Sequence, residues 1–131
     1  MIDVEIDVFD RVYQAVSPLL PYGGFKSMYV PAPPVFPFAT LYETDNQTLN
    51  SHRSTADHEE YAIVTYDADV YAEDKQTCRT VMNALDTEMI KLGFTRVSMG
   101  FIPNLADSSL FRYTARFRAA ADSNKTIYRY T

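Results

Sequence analysis

The segment Glu59–Ala72 constrains this chain more than any other. It alternates for fourteen residues. Ala62, Val64, Tyr66, Ala68 and Val70 fall on one side, and Tyr61, Ile63, Thr65, Asp67, Asp69 and Tyr71 on the other. Alternation with a period of two is the pattern of a β-strand, whose successive side chains point to opposite faces. So long a strand needs hydrogen-bonded neighbours on its edges and an apolar layer over at least one face. An all-helical fold is therefore excluded.

Two amphipathic helices can provide that layer. Ile2, Ile6, Phe9, Tyr13 and Val16 step by four, three, four and three, which predicts a helix over Asp3–Val16 with this stripe buried. Asp3, Glu5 and Asp7 lie in its first turns, where negative charge suits the helix dipole. Ser17-Pro18 ends it, because a residue before proline is pushed out of the α region. The second helix is predicted over Asp74–Leu92, with Cys78, Val81, Met82, Leu85, Met89 and Leu92 facing the core. Asp74 is its expected N-cap and Gly93 its expected C-terminal stop.

The remaining strands are shorter. Gly23-Gly24 and Pro31, Pro33 and Pro34 make Pro18–Pro37 a loop, with a short strand at Phe25–Val30. A strand follows over Phe36–Glu43, and Pro37, which lacks an N–H, places its start at a sheet margin. Two more are expected near Phe94–Ile102 and Leu110–Ala120, joined as a hairpin through Pro103-Asn104-Leu105-Ala106-Asp107. Ile127–Tyr130 forms a last short strand or an arm over residues 122–131. The order helix, strands, helix, strands predicts one α+β domain over 1–131: a mostly antiparallel β-sheet with two amphipathic helices packed on one face. Residues 45–58, DNQTLNSHRSTADH, are polar and aperiodic and read as a long loop. Loops of this length are usually functional or disordered.

At 131 residues and 47% apolar composition the chain can bury a core of its own. No run of apolar residues is long enough to cross a membrane as a helix, and the acidic start MIDVEIDVFD is unlike a signal peptide. Cys78 is the single cysteine, so no internal disulfide forms and synthesis in a reducing cytoplasm is expected. A net charge of −5 opposes nucleic-acid binding through the whole surface. Ten tyrosines and eight phenylalanines hint at protein contacts, although β-strands also favour tyrosine.

Reactive constellations are scarce. His52 and His58 with Asp57 and Glu59 contain zinc-ligand types, but their loop offers no further nearby His or Cys, so they read as solvated. Cys78 lies on an apolar helix stripe and reads as a small buried hydrophobe, not a nucleophile. No catalytic, cofactor or metal site is expected. The arginines carry more information. Arg112, Arg116 and Arg118 share one face of a strand, opposite Phe111, Tyr113, Ala115 and Phe117, with Arg96 expected to join them from the hairpin partner. They form either a basic surface for DNA or an acidic protein, or cross-strand partners for Asp67 and Asp69. The negative net charge favours the second. The alternatives carried alongside a structural role are a small cytoplasmic enzyme and a nucleic-acid-binding module.

The layout resembles the tail-terminator, or tail-completion, proteins of long-tailed bacteriophages. The resemblance covers most of the chain. It rests on the opening helix, Pro31-Ala32-Pro33-Pro34-Val35-Phe36-Pro37, the strand Tyr61–Ala72, the helix carrying Met82-Asn83-Ala84-Leu85 through Leu92-Gly93-Phe94, and Pro103-Asn104 before an aromatic strand. It implies a non-catalytic protein of the virion tail, made in the host cytoplasm. It also implies a hexameric ring that ends tube growth, with the tail-tube protein and a head-completion or connector protein as partners. DNA would pass only through the lumen, and six copies would bring about −30 of formal charge to such a ring. The residues set aside for assembly are Asp45, Arg53 and Asp57 in the polar loop with the adjoining Glu59, where exposed charges can pair across subunits, and Tyr128, Arg129 and Tyr130 at the C-terminus.

Overall fold

The computed structural model describes residues 1–49, 61–103 and 109–130. Helix α1 spans Glu5–Val16, and a single 3-10 turn at Ser17–Leu19 ends it. Strands β1 (Phe25–Lys26), β2 (Phe38–Leu49) and β3 (Tyr61–Ala72) follow. Helix α2 spans Lys75–Leu92, then come β4 (Thr95–Ile102), β5 (Phe111–Asp122) and β6 (Ile127–Arg129). The strands form one sheet in the order β1-β2-β3-β5-β4, with β6 also pairing β5. All pairings are antiparallel except the short β1–β2 contact. The α+β class, mostly antiparallel sheet and both helices on one face are as the sequence predicts.

One core lies between the sheet and the helices. Ala62, Val64, Tyr66, Ala68 and Val70 of β3 face it, together with Ala115, Phe117 and Ala119 of β5 and Ala39 and Leu41 of β2. Cys78, Val81, Met82, Leu85 and Met89 of α2 close it from above. The ends of α2 are built as expected. Asp74 accepts a hydrogen bond from the Thr77 N–H at 2.8 Å, and its exposed carboxyl is held below the usual range by that bond. Gly93 turns the chain at φ +110°, where a side chain would be strained and would also crowd Ile127.

Helix α1 corrects the expected stripe. Its buried row is Val8, Val12 and Val16, continued by Val4 at the N-cap and Ile2 before it, while Ile6 is 72% exposed and Tyr13 42%. The helix carries two adjacent apolar rows. At about 100° per residue they span roughly 200° of its circumference. The core accommodates only part of that arc, and it takes the slim valines. Glu5 fixes the rotation, because its Oε2 accepts the Glu43 N–H of β2 at 2.7 Å. The larger row, Ile6, Phe9 and Tyr13, is turned towards β1, where the Phe9 and Tyr13 rings pack on Phe25 at 4.7 and 5.9 Å between centroids.

The strand bounds also differ from expectation. β1 stops after Lys26 instead of reaching Val30. β2 runs on through the expected loop start, so Asp45 to Leu49 are strand and pair with Tyr61 to Thr65. Polar composition concealed this continuation, because ladder hydrogen bonds to β3 do not require apolar side chains. A bulge between Glu43 and Asp45 shifts the register there. The C-terminal segment is not a free arm: Ile127–Arg129 pairs with Ala119 to Ala121.

Candidate functional site

The open face of the sheet gathers most of the charged residues singled out above. Directly across the β3–β5 ladder, Asp67 faces Arg116, and the two form a bidentate pair at 2.8 and 3.2 Å. Arg112 sits opposite Tyr71 and reaches diagonally to Asp69, with Nε 3.1 Å from Oδ1. The two pairs differ in setting. Asp69 is 2% exposed, whereas Arg116 is largely solvated. Burial works against the Arg112 charge, and the bond to Asp69 more than offsets it, so its pKa is raised. Arg112 also stacks on the Tyr71 ring, whose own hydroxyl burial pushes up to about 12. Arg118 stands opposite Thr65 and Thr95 and has no ion-pair partner among the described residues.

Arg96 does not join this face. The β4 bulge after it puts it opposite Phe117, on the helix side, where it bonds Asp86 of α2 at 3.2 Å. A period of two cannot anticipate a bulge, so face assignments beyond one are inverted.

The C-terminal candidates are placed as follows. Arg129 donates to the Phe94 and Ile90 carbonyl oxygens at 3.0 and 3.2 Å, satisfying backbone acceptors at the end of α2. The Tyr128 hydroxyl donates to Asp122 at 2.9 Å and its ring meets Tyr61 edge-on. Tyr130 is exposed beyond β6. Asp45 lies in β2. Arg53, Asp57 and Glu59, like His52, His58 and residues 104–107 of the expected hairpin joint, lie outside the described residues.

Cys78 is fully buried, its thiol donates to the Phe111 and Val70 carbonyls, and burial pushes its pKa up to about 11. A thiol so protonated and enclosed serves packing, because the nucleophile is the thiolate. A polar cluster occurs where α1 meets the β2 bulge. Glu43 and Tyr66 are paired across the ladder, yet Glu43 Oε1 and the Tyr66 hydroxyl are both buried without a well-formed hydrogen bond. Burial raises the Glu43 pKa, opposed by the Asn46 and Tyr66 side chains. Among the described residues no three His, Cys, Asp or Glu gather as a metal site, and no helix is long and apolar enough to cross a membrane.

Sequence reasoning missed two surfaces, both at sheet edges. On one edge the Ile6–Phe9–Tyr13 flank lies beside β1, with Tyr22 exposed nearby in sequence. On the other, β4 is an outer strand with Val97 47% exposed at its bulge and Ile102 exposed at its end. The stripe Ile2, Ile6, Phe9, Tyr13 was visible in the sequence. Only the competing valine row shows that its outer part is unburied.

No protein-family model matches the chain, and no curated protein matches its sequence. Its fold is similar to that of a chain from a solved structure described as the virion of a native gene transfer agent (GTA) particle. The TM-score is 0.54 at 14% identity, with 88% of this chain and 94% of that chain covered. The likeness is one of fold and extends over nearly the whole of both chains.

Proposed function

We propose that this protein is a structural component of a phage-type virion, forming a ring at the head-proximal end of the tail tube, where it ends tube polymerisation and presents the surface for head joining. The observation that carries the proposal is the end-to-end fold likeness to a chain of a gene transfer agent virion. The match spans 94% of that chain, so the likeness is to an entire virion chain and not to a module embedded in a larger one. The sequence resemblance to tail-terminator proteins supplies the finer role. The partners in this reading are further copies of the chain, the tail-tube protein and a head-completion or connector protein, with DNA only passing through the lumen. Asp45 on β2, Arg53, Asp57 and Glu59 of the β2–β3 connection, Tyr128 and Arg129 of β6 and Tyr130 just after it belong to the contacts proposed for assembly.

The interior supports a structural role over an enzymatic one. Cys78 is a packing residue, and two of the three arginines on the open face already hold aspartates. A nucleic-acid module would need those cations for phosphates.

The test is removal of the gene from the genome that encodes the particle, followed by electron microscopy of the lysate. Filled heads should accumulate apart from tails, and the tail tubes should have uncontrolled length. Normal, joined particles of normal tail length would overturn the proposal.

A further inference from the structure

The two edges of the sheet are unlike each other, and each offers what the other lacks. At the β1 edge, the α1 row Ile6, Phe9 and Tyr13 extends the apolar surface of the molecule outward, and Ile6 is 72% exposed. At about 100° per residue, Asp10 follows immediately beyond this row on the helix circumference and gives it an acidic margin, while the exposed Asp3 lies two residues before the helix, its carboxylate accepting the Glu5 N–H. Lys26 of β1 is the basic side chain nearby in the sheet. At the β4 edge the order of chemistry is reversed. The bulge leaves Val97 without a partner on β5 and turns it to solvent. Four residues further along β4, the half-buried Phe101 ring is covered by Lys75 and Arg79 of α2, at 5.6 and 5.3 Å from its centroid. Neither cation has an ion-pair partner among the described residues.

Strand direction agrees with this complementarity. If β3 is taken as running up, the pairings make β1, β2 and β5 run down and β4 run up. Copies set side by side in one orientation therefore bring an upward β4 against a downward β1, an antiparallel approach, which is the more stable pairing per residue. An edge strand with exposed apolar residues is normally blunted or covered, because its free N–H and C=O groups template pairing. Lys75 and Arg79 lie on the helix side of β4 and do not block that edge.

We infer that the Ile6–Phe9–Tyr13 flank of α1 and the β1 edge seat against the β4 edge of a second copy of this chain, around Val97 and Phe101. The contact is head-to-tail, with Asp10 of one copy facing Lys75 and Arg79 of the next. Such a heterologous contact leaves one unused flank on each end of any open assembly, and it closes into a ring when the rotation per copy permits. The inference rests on the ring reading above and specifies which surfaces make the ring.

The experiment uses the full chain with two single substitutions, Ile6→Asp and Val97→Asp, each at an exposed position. Thermal melts first establish that both variants keep the melting temperature of the parent within a few degrees; should either fall further, Ile6→Ser and Val97→Ser replace them. Sedimentation at the highest soluble concentration then gives the mass. The parent should associate beyond one chain. Each variant alone should sediment as a single chain, because each lacks one half of every junction. Mixed in equal amounts, they should form a dimer and nothing larger. The β4 edge intact in Ile6→Asp meets the α1 flank intact in Val97→Asp, and that pair can make one good junction. A parent that associates while both variants associate equally well would overturn the inferred surfaces and leave the ring reading standing. Loss of association in Ile6→Asp alone would replace the head-to-tail contact with a two-fold α1–α1 contact. A parent that stays a single chain throughout would count against the ring itself.

Discussion

The two faces of β3 are covered by different means and to different degrees. On the side of Ala62, Val64, Tyr66, Ala68 and Val70, aliphatic side chains of α1 and α2 exclude water. On the side of Ile63, Thr65, Asp67, Asp69 and Tyr71, no helix is present among the described residues. Partial cover comes from long side chains on the neighbouring strands, chiefly Arg112 over the buried Asp69 and Arg116 over Asp67. The first face gains from apolar burial, which is non-directional. The second needs charges matched at defined register positions, so it specifies the β3–β5 alignment more than it stabilises the fold.

The sharpest way to break this contrast is to cut into each face. Leu85→Ala on the helix side should lower the unfolding free energy by about 2–5 kcal/mol, read by denaturant titration. Arg112→Ala on the open side should cost about 2–3 kcal/mol, because it strands the buried Asp69 carboxylate. That is less than the roughly 3–5 kcal/mol of breaking a fully buried pair, as the guanidinium keeps some solvent. A loss from Arg112→Ala as small as that of a surface change would show that Asp69 finds water, and the distinction between the faces would weaken.

Glu43 tests the boundary between the two regimes, being a carboxylate turned towards the helix side without full compensation. Its folded-state pKa is raised by burial above the ordinary glutamate range. As pH rises through the interval between the unfolded and folded values, the unfolded state gives up its proton first, so this group's contribution to stability falls. Glu43→Gln should therefore raise the melting temperature at pH 7, and the gain should vanish below the ordinary glutamate range. A variant equally stabilised at both ends of the pH scale would contradict this cause. The smallest expected effect is Arg116→Ala. Its pair with Asp67 is exposed, so about 0.2–1 kcal/mol should be lost, and less at high salt.

Much of this was legible in the sequence, for identifiable reasons. The β3 alternation and the α2 stripe are long single-period patterns, and both appear as expected. The pairing of Asp67 and Asp69 with arginines of β5 was readable as one of two options, because residue parity fixes the face of a strand. What was illegible falls at departures from a period. The bulge at Val97 shifts register and puts Arg96 on the helix side, while β2 runs through its bulge at Thr44 into a polar stretch that carries no alternation. The rotation of α1 was ambiguous because two apolar rows compete, and the bond from the Glu43 N–H to Glu5, 38 residues away, decides it. Long-range contacts of that kind have no local signature. The open edges could be located only once the strand order was known.

A position at the head-proximal end of the tail can be read by labelling. An epitope tag placed after Tyr130, which is exposed beyond β6, can be detected by gold-conjugated antibody on tail tubes separated from their heads. The account predicts gold at one end of each tube, the end that joins the head, and none along the shaft. Label spread along the tube, at the opposite tip, or on the head shell alone would contradict it.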